Sequence, residues 1–182
     1  MERYYINKEE ALLLVIDIQE KLFPAMANQE RVLRQTNLLL QVARVLELPV
    51  VVTEQNPKGL GPTIDSLEME GLPVETVTKM TFSAAVPDLL AVLAKHQKKQ
   101  IIVAGIETHV CVLQTVRDLQ RQGYQCYLVS DAADSRNELN YRTALDLMRE
   151  MGAIITSAEI VTFDLLVRAG TPEFKQILTK VK

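Results

Sequence analysis

The 182-residue chain is 48% hydrophobic and 24% charged, a size and balance that suit one globular domain with a sizeable core and give no reason to divide it. Its net charge of −3, with the signs interspersed, argues against the concentrated basic face that nucleic acid requires, and no apolar run approaches the length of a membrane span. The N-terminus from Met1 to Ile6 is too polar for a secretory leader, so Cys111 and Cys126 are expected as thiols in a reducing, cytosolic setting.

Taken in order, short apolar runs alternate with helical patterns. Ala11 to Ile16 reads as a buried strand, and Arg31 to Leu46 repeats Val32, Leu33, Leu38, Leu39, Val42 and Leu46 at helical spacing. Pro49 to Thr53 is a second strand. The stretch from Glu54 to Gly71, broken by Pro57, Gly59, Gly61 and Pro62, is a long irregular connection of the kind that lies over a site. Glu75 to Thr78 predicts a third strand and Ala84 to His96 a helix with Pro87 in its first turn. The basic cluster from Lys95 to Lys99 ends that helix and complements its dipole.

Ile101 to Ala104 is a fourth strand that leads through Gly105 to His109 into the amphipathic stretch Val110 to Leu119, with Gly123 as its terminator. Gln125 to Ser130, a helix from Glu138 to Met151, a sixth strand from Ala153 to Thr156 and a closing helix from Pro172 to Lys180 complete the chain. This alternation predicts a mostly parallel six-stranded sheet covered on both faces by helices.

Ligands of such sheets bind outside the carboxyl ends of the strands. The first strand ends at Asp17, the third at Lys79, and the fourth delivers Cys111 in the first turn of a helix, where the dipole and unpaired amides favour thiolate. A carboxylate, an ammonium and a thiol converging there could accept a proton, stabilise an anion and attack a carbonyl. Each residue also has a structural reading: Asp17 as a turn cap, Lys79 as an exposed loop lysine, Cys111 as a small hydrophobe in the seam between helix and sheet.

The segments Leu14 to Gln19, Lys79 to Ser83, Val103 to Val112 and Ser130 to Ala132 resemble those of the isochorismatase-like cysteine hydrolases. The resemblance implies a three-layer α/β/α sandwich with a six-stranded sheet, an Asp17, Lys79, Cys111 triad, and a cis Ile106–Glu107 peptide that aims the Glu107 amide, with that of Cys111, into an oxyanion hole. It further implies a cysteine-dependent hydrolase of a small amide-like substrate, acting through a thioester as a homo-oligomer, with Gln19 and Phe82 beside the substrate as contacts or as packing and turn residues.

Nicotinamidases of this superfamily carry a metal-binding aspartate and two histidines beside the substrate; here the only histidines are His96 and His109, neither in that region, so no metal or other cofactor is expected. Three alternatives stay open: a vinyl-ether hydrolase of the isochorismatase type, a flavodoxin- or receiver-like binding module, and a non-catalytic oligomeric interaction protein on the same fold.

Overall fold

A computed structural model of the chain describes residues 1–181. Ala11–Ile16 (β1) is buried at all six positions because it lies mid-sheet with helices on both faces. The other strands are Val50–Gln55 (β2), Val74–Lys79 (β3), Gln100–Ile106 (β4), Gln125–Asp134 (β5) and Ile154–Thr156 (β6), and all pair in parallel in the order β3-β2-β1-β4-β5-β6.

The helices are Gln29–Leu46 (α1), the single turn Pro57–Leu60 (α2), Pro87–His96 (α3), Leu113–Arg121 (α4), Glu138–Glu150 (α5), Ala158–Leu166 (α6) and Pro172–Val181 (α7). Leu13 and Val15 of β1 face a core shared with α1, α6 and α7, whereas Leu12, Leu14 and Ile16 face one shared with α3, α4 and α5. The period-two alternation of a strand therefore divides one apolar run between two cores, and the fold is a three-layer α/β/α sandwich.

From β1 the chain works outward through β2 to β3, then returns to lay β4 on the other side of β1. The crevice between the carboxyl ends of β1 and β4 is thus the topological switch point, where ligands of such sheets bind.

Several boundaries differ from the pattern in the sequence, each for a tertiary reason. β2 runs through Gln55 because Glu54 and Gln55 pair with Thr78 and Lys79 of β3, although both are polar. β5 continues to Asp134: a register shift follows the Val103–Leu128 pair, and Gly105 next pairs with Ala133. The helix α6 was not anticipated. It begins just after β6, capped by the Ser157 side chain on the Ile160 amide, and its apolar residues point inward (Val161, Leu165) and outward (Ile160, Phe163), which erases the helical period. No described helix is long and apolar enough to cross a membrane.

Candidate active site

Asp17 follows β1 directly in a left-handed conformation with φ 52°, its amide donating to the Thr53 carbonyl at 3.1 Å. Its fully buried carboxylate is held on both oxygens: Thr53 Oγ1 donates to Oδ1 at 2.7 Å and Lys79 Nζ to Oδ2 at 2.6 Å. Lys79 ends β3 with its side chain buried, and its ammonium also donates to the carbonyls of Thr81 at 3.1 Å and Phe82 at 3.0 Å. An ammonium has three protons, so all are spent within the protein. Lys79 therefore acts on Asp17 and on the Thr81–Phe82 loop, and the expectation that it could meet an anion directly is revised.

Cys111 lies in a five-residue π-helical turn, Thr108–Val112, that joins β4 to α4. Such turns recur at functional sites. The Glu107 carbonyl accepts from the Val110 and Val112 amides at 3.0 and 3.2 Å, and the Thr115 hydroxyl donates to the Cys111 carbonyl at 2.6 Å while accepting from the Ala84 amide at 2.8 Å. The loop after Lys79 is thus tied to the turn that carries the thiol. The Ile106–Glu107 peptide is cis.

The thiol is 3% exposed, and burial pushes it up to about 12, with the Asp17 carboxylate raising it further and the Lys79 ammonium opposing. A thiolate favoured by the helix start is not what this environment holds: desolvation and a facing carboxylate outweigh the dipole of a turn whose Val110 and Val112 amides already point to a carbonyl. Burial likewise lifts the Asp17 carboxyl above the ordinary aspartate range, against the pull of Lys79. The resting pair is a neutral thiol beside a proton acceptor of raised affinity.

The residues that the sequence reading missed are Thr53 and Gln55. Cys111 Sγ donates to Gln55 Oε1 at 3.2 Å. Gln19 is fully buried and grips the Gln55 backbone from both sides, its Oε1 accepting from the Gln55 amide at 2.9 Å and its Nε2 donating to the Gln55 carbonyl at 3.0 Å and to that of Gly61 at 2.7 Å. Its carboxamide substitutes for a neighbouring strand. Phe82, in contrast, is 52% exposed beside the Lys79 loop. Thr53 could have been found by the same strand-end rule as Asp17, because β2 neighbours β1; Gln55 could not, since its run of polar neighbours reads as loop.

Glu107 is buried with its Oε2 accepting from the Arg136 amide at 3.2 Å and Nε at 2.9 Å, and His109 Nδ1 lies 2.9 Å from Ser135 Oγ, so the end of β5 braces the turn from the far side. Among the described residues no group of three His, Cys, Asp or Glu could hold a metal ion. Glu54, the acidic residue nearest Gln55 in sequence, is occupied by the Thr63 amide and hydroxyl at 2.7 and 2.8 Å.

Residues 11–160 match the family model described as "Isochorismatase domain". Over 177 residues the chain is 40% identical to the "Secreted isochorismatase effector Isc1" of Phytophthora sojae, covering 94% of this chain and 84% of that protein. It is 37% identical to mouse "Isochorismatase domain-containing protein 2A", covering 97% and 85%. Among solved structures, that titled "Structure of MAR1 Ribonuclease from Caenorhabditis elegans" superposes with a TM-score of 0.91 at 35% identity, covering 97% of this chain and 92% of that one.

Proposed function

The chain belongs to the isochorismatase family, and from that premise we propose that it hydrolyses a small substrate at an amide-like C–N bond through a thioester on Cys111. The observation that carries this reading is the Lys79–Asp17 pair, 2.6 Å apart and buried, facing a neutral thiol. A thiol raised to about 12 is nucleophilic at neutral pH only if a base takes its proton as it attacks, and Asp17 is the carboxylate placed to do so.

In this mechanism Asp17 takes the Cys111 proton while sulfur adds to the carbonyl carbon and the π electrons move to oxygen. The amides of Glu107, after Ile106, and of Cys111 are assigned as donors to that oxyanion. Collapse expels the amine, which takes the proton from Asp17. Water then adds to the thioester, losing a proton to Asp17, and the second collapse releases the acid and returns the proton to sulfur. Lys79 and Thr53 orient the carboxylate throughout; Gln19 acts by fixing the neighbouring backbone, and Phe82 offers an apolar rim to the substrate.

A ribonuclease reading, which the nematode protein's name invites, has less support here. A phosphodiester transition state needs cations with free protons, and those of Lys79 are already spent. The vinyl-ether reading gives the thiol no task. Two further parts of the proposal are a homo-oligomer, supported by outward-facing Ile160, Phe163 and Val167 at α6, and a reducing compartment, supported by two free, buried cysteines.

The test is a screen of small amides, ureides and esters with intact-mass detection. Turnover accompanied by an acyl adduct on Cys111, absent in Cys111→Ala, is the expected result. Turnover that survives Cys111→Ala would replace the thioester with direct attack by water, and neither turnover nor adduct across the panel would favour an interaction protein.

A further inference from the structure

The side chain of Gln55 has no part in the proton transfers above, yet with Asp17 it is one of the two groups that meet the resting thiol. Its Oε1 accepts the Cys111 proton at 3.2 Å, its Nε2 has no hydrogen-bond partner among the described residues, and the side chain is half-buried, so one edge of the carboxamide remains open to an incoming molecule. Its backbone is unusually constrained. Gln19 grips the amide and carbonyl, Gln55 pairs with Lys79 in the β2–β3 ladder, and the Asn56 amide donates to the Lys79 carbonyl at 2.8 Å. The carboxamide is consequently presented to Cys111 by a fixed strand end and not by a mobile loop.

When Asp17 removes the thiol proton, Gln55 Oε1 loses its donor and is left with its lone pairs turned toward a thiolate. That arrangement is unfavourable twice over, as an unsatisfied acceptor and as a dipole with its negative end against an anion. Both costs are relieved if the substrate brings a donor to the same oxygen. We infer that Gln55 is the specificity-determining contact of the site, whose Oε1 accepts an N–H from the substrate's carboxamide or ureide nitrogen, so that the accepted class is N–H-bearing carboxamides and ureides in preference to esters. The inference rests on the amide-hydrolase reading and deepens it: a substrate N–H on Gln55 Oε1 takes the place of the thiol proton there and leaves that proton to Asp17, which couples substrate identity to activation of the nucleophile.

The probes are two alkylating reagents of similar size, 2-chloroacetamide, which carries N–H, and methyl chloroacetate, which does not. Both form an S–C bond as chloride leaves, and adducts on Cys111 and Cys126 are separated by peptide mass. The readout is the amide-to-ester rate ratio at Cys111 divided by that for glutathione, which cancels intrinsic reactivity. In the wild-type protein this ratio is expected to exceed one by about tenfold. Gln55→Leu should bring it to within about twofold of one. Gln55→Glu keeps an acceptor oxygen, so it should retain most of the preference even though its charge slows both reagents, and thermal unfolding of both variants confirms that they fold.

Equal ratios in all three proteins, with Cys111 reactive, would overturn the role of Gln55 and leave the nucleophile standing. Loss of preference in Gln55→Glu as complete as in Gln55→Leu would also overturn it, because it would show the Nε2 group to be the functional end. Labelling of Cys126 alone by both reagents would instead remove the amide-hydrolase reading on which the inference depends.

Discussion

A Cβ added to Gly105 would lie 2.1 Å from the carbonyl oxygen of Ile16, so β4 and β1 meet at the switch point with no room for any side chain between them. Gly105 also has φ 126°, a conformation closed to other residues, and it opposes Ile16 in register, one residue before Asp17. The glycine therefore fixes how near the carboxylate comes to the turn that carries Cys111. Gly105→Ala is expected to cost roughly 3 kcal/mol or more, since the backbone of β1 cannot yield without moving Asp17. Chemical denaturation should show the loss, and turnover by the folded fraction should fall as well.

Asp17→Asn separates the two effects of the carboxylate on the thiol. Asp17 raises the Cys111 pKa, so its neutral analogue should let Cys111 be alkylated at lower pH while turnover falls by several orders of magnitude for want of a base. The buried ammonium of Lys79 then lacks its counter-charge, but burial already favours an uncharged group at position 17, so folding should be nearly unaffected. Lys79→Met acts in the opposite sense on the thiol, because the ammonium lowers the Cys111 pKa; labelling should require higher pH. If the three groups share one step, the double variant will be little slower than the more damaged single one. Losses that multiply would show that they act separately.

The acid limb of the turnover profile should lie above the range of an exposed aspartate, because burial raises the Asp17 carboxyl and the protonated form cannot accept the thiol proton. The linkage has the corresponding sign. A folded-state pKa above the unfolded one contributes stability that is fully present below the unfolded value and is lost as pH rises through the folded one. Asp17→Asn should remove both the acid limb and that component of the pH dependence of stability; an unchanged acid limb would assign it to another group.

Cys111 should be alkylated well before Cys126 in the native protein. Burial pushes both thiols up to about 12, so acidity does not distinguish them. What does is access: Cys111 lies at the crevice beside the half-buried Gln55, whereas Cys126 is sealed in β5 with no exposure and only the Val116 carbonyl, 3.9 Å away, as a partner. Peptide mapping after limited iodoacetamide treatment measures the order, and faster reaction at Cys126 would remove the reading of Cys111 as the nucleophile.

Chelation is expected to leave turnover and folding unchanged. Near the thiol, Glu54 is committed to Thr63, Gln55 to Cys111 and Gln19 to backbone, while His96 pairs with Glu75 at the opposite, amino-terminal end of β3. Turnover lost in EDTA and restored by zinc or manganese would contradict this.

The order of strands and helices, and the convergence of Asp17, Lys79 and Cys111, were legible in the sequence because each depends on local information. Apolar runs such as Ala11 to Ile16 mark strands buried on both faces, and parallel pairing brings every strand's carboxyl end to the same edge. The helix α6 escaped because its outward Ile160 and Phe163 blur the period that identifies helices. Gln55 escaped because its place in β2 comes from the ladder with Lys79, which is 24 positions away, and from a buried glutamine that takes the part of a strand. The charge state of Cys111 was also decided in three dimensions. A position at a helix start is written in the chain and favours thiolate, but desolvation and the Asp17 carboxylate come from elements distant in sequence, and at 3% exposure they are the larger effects.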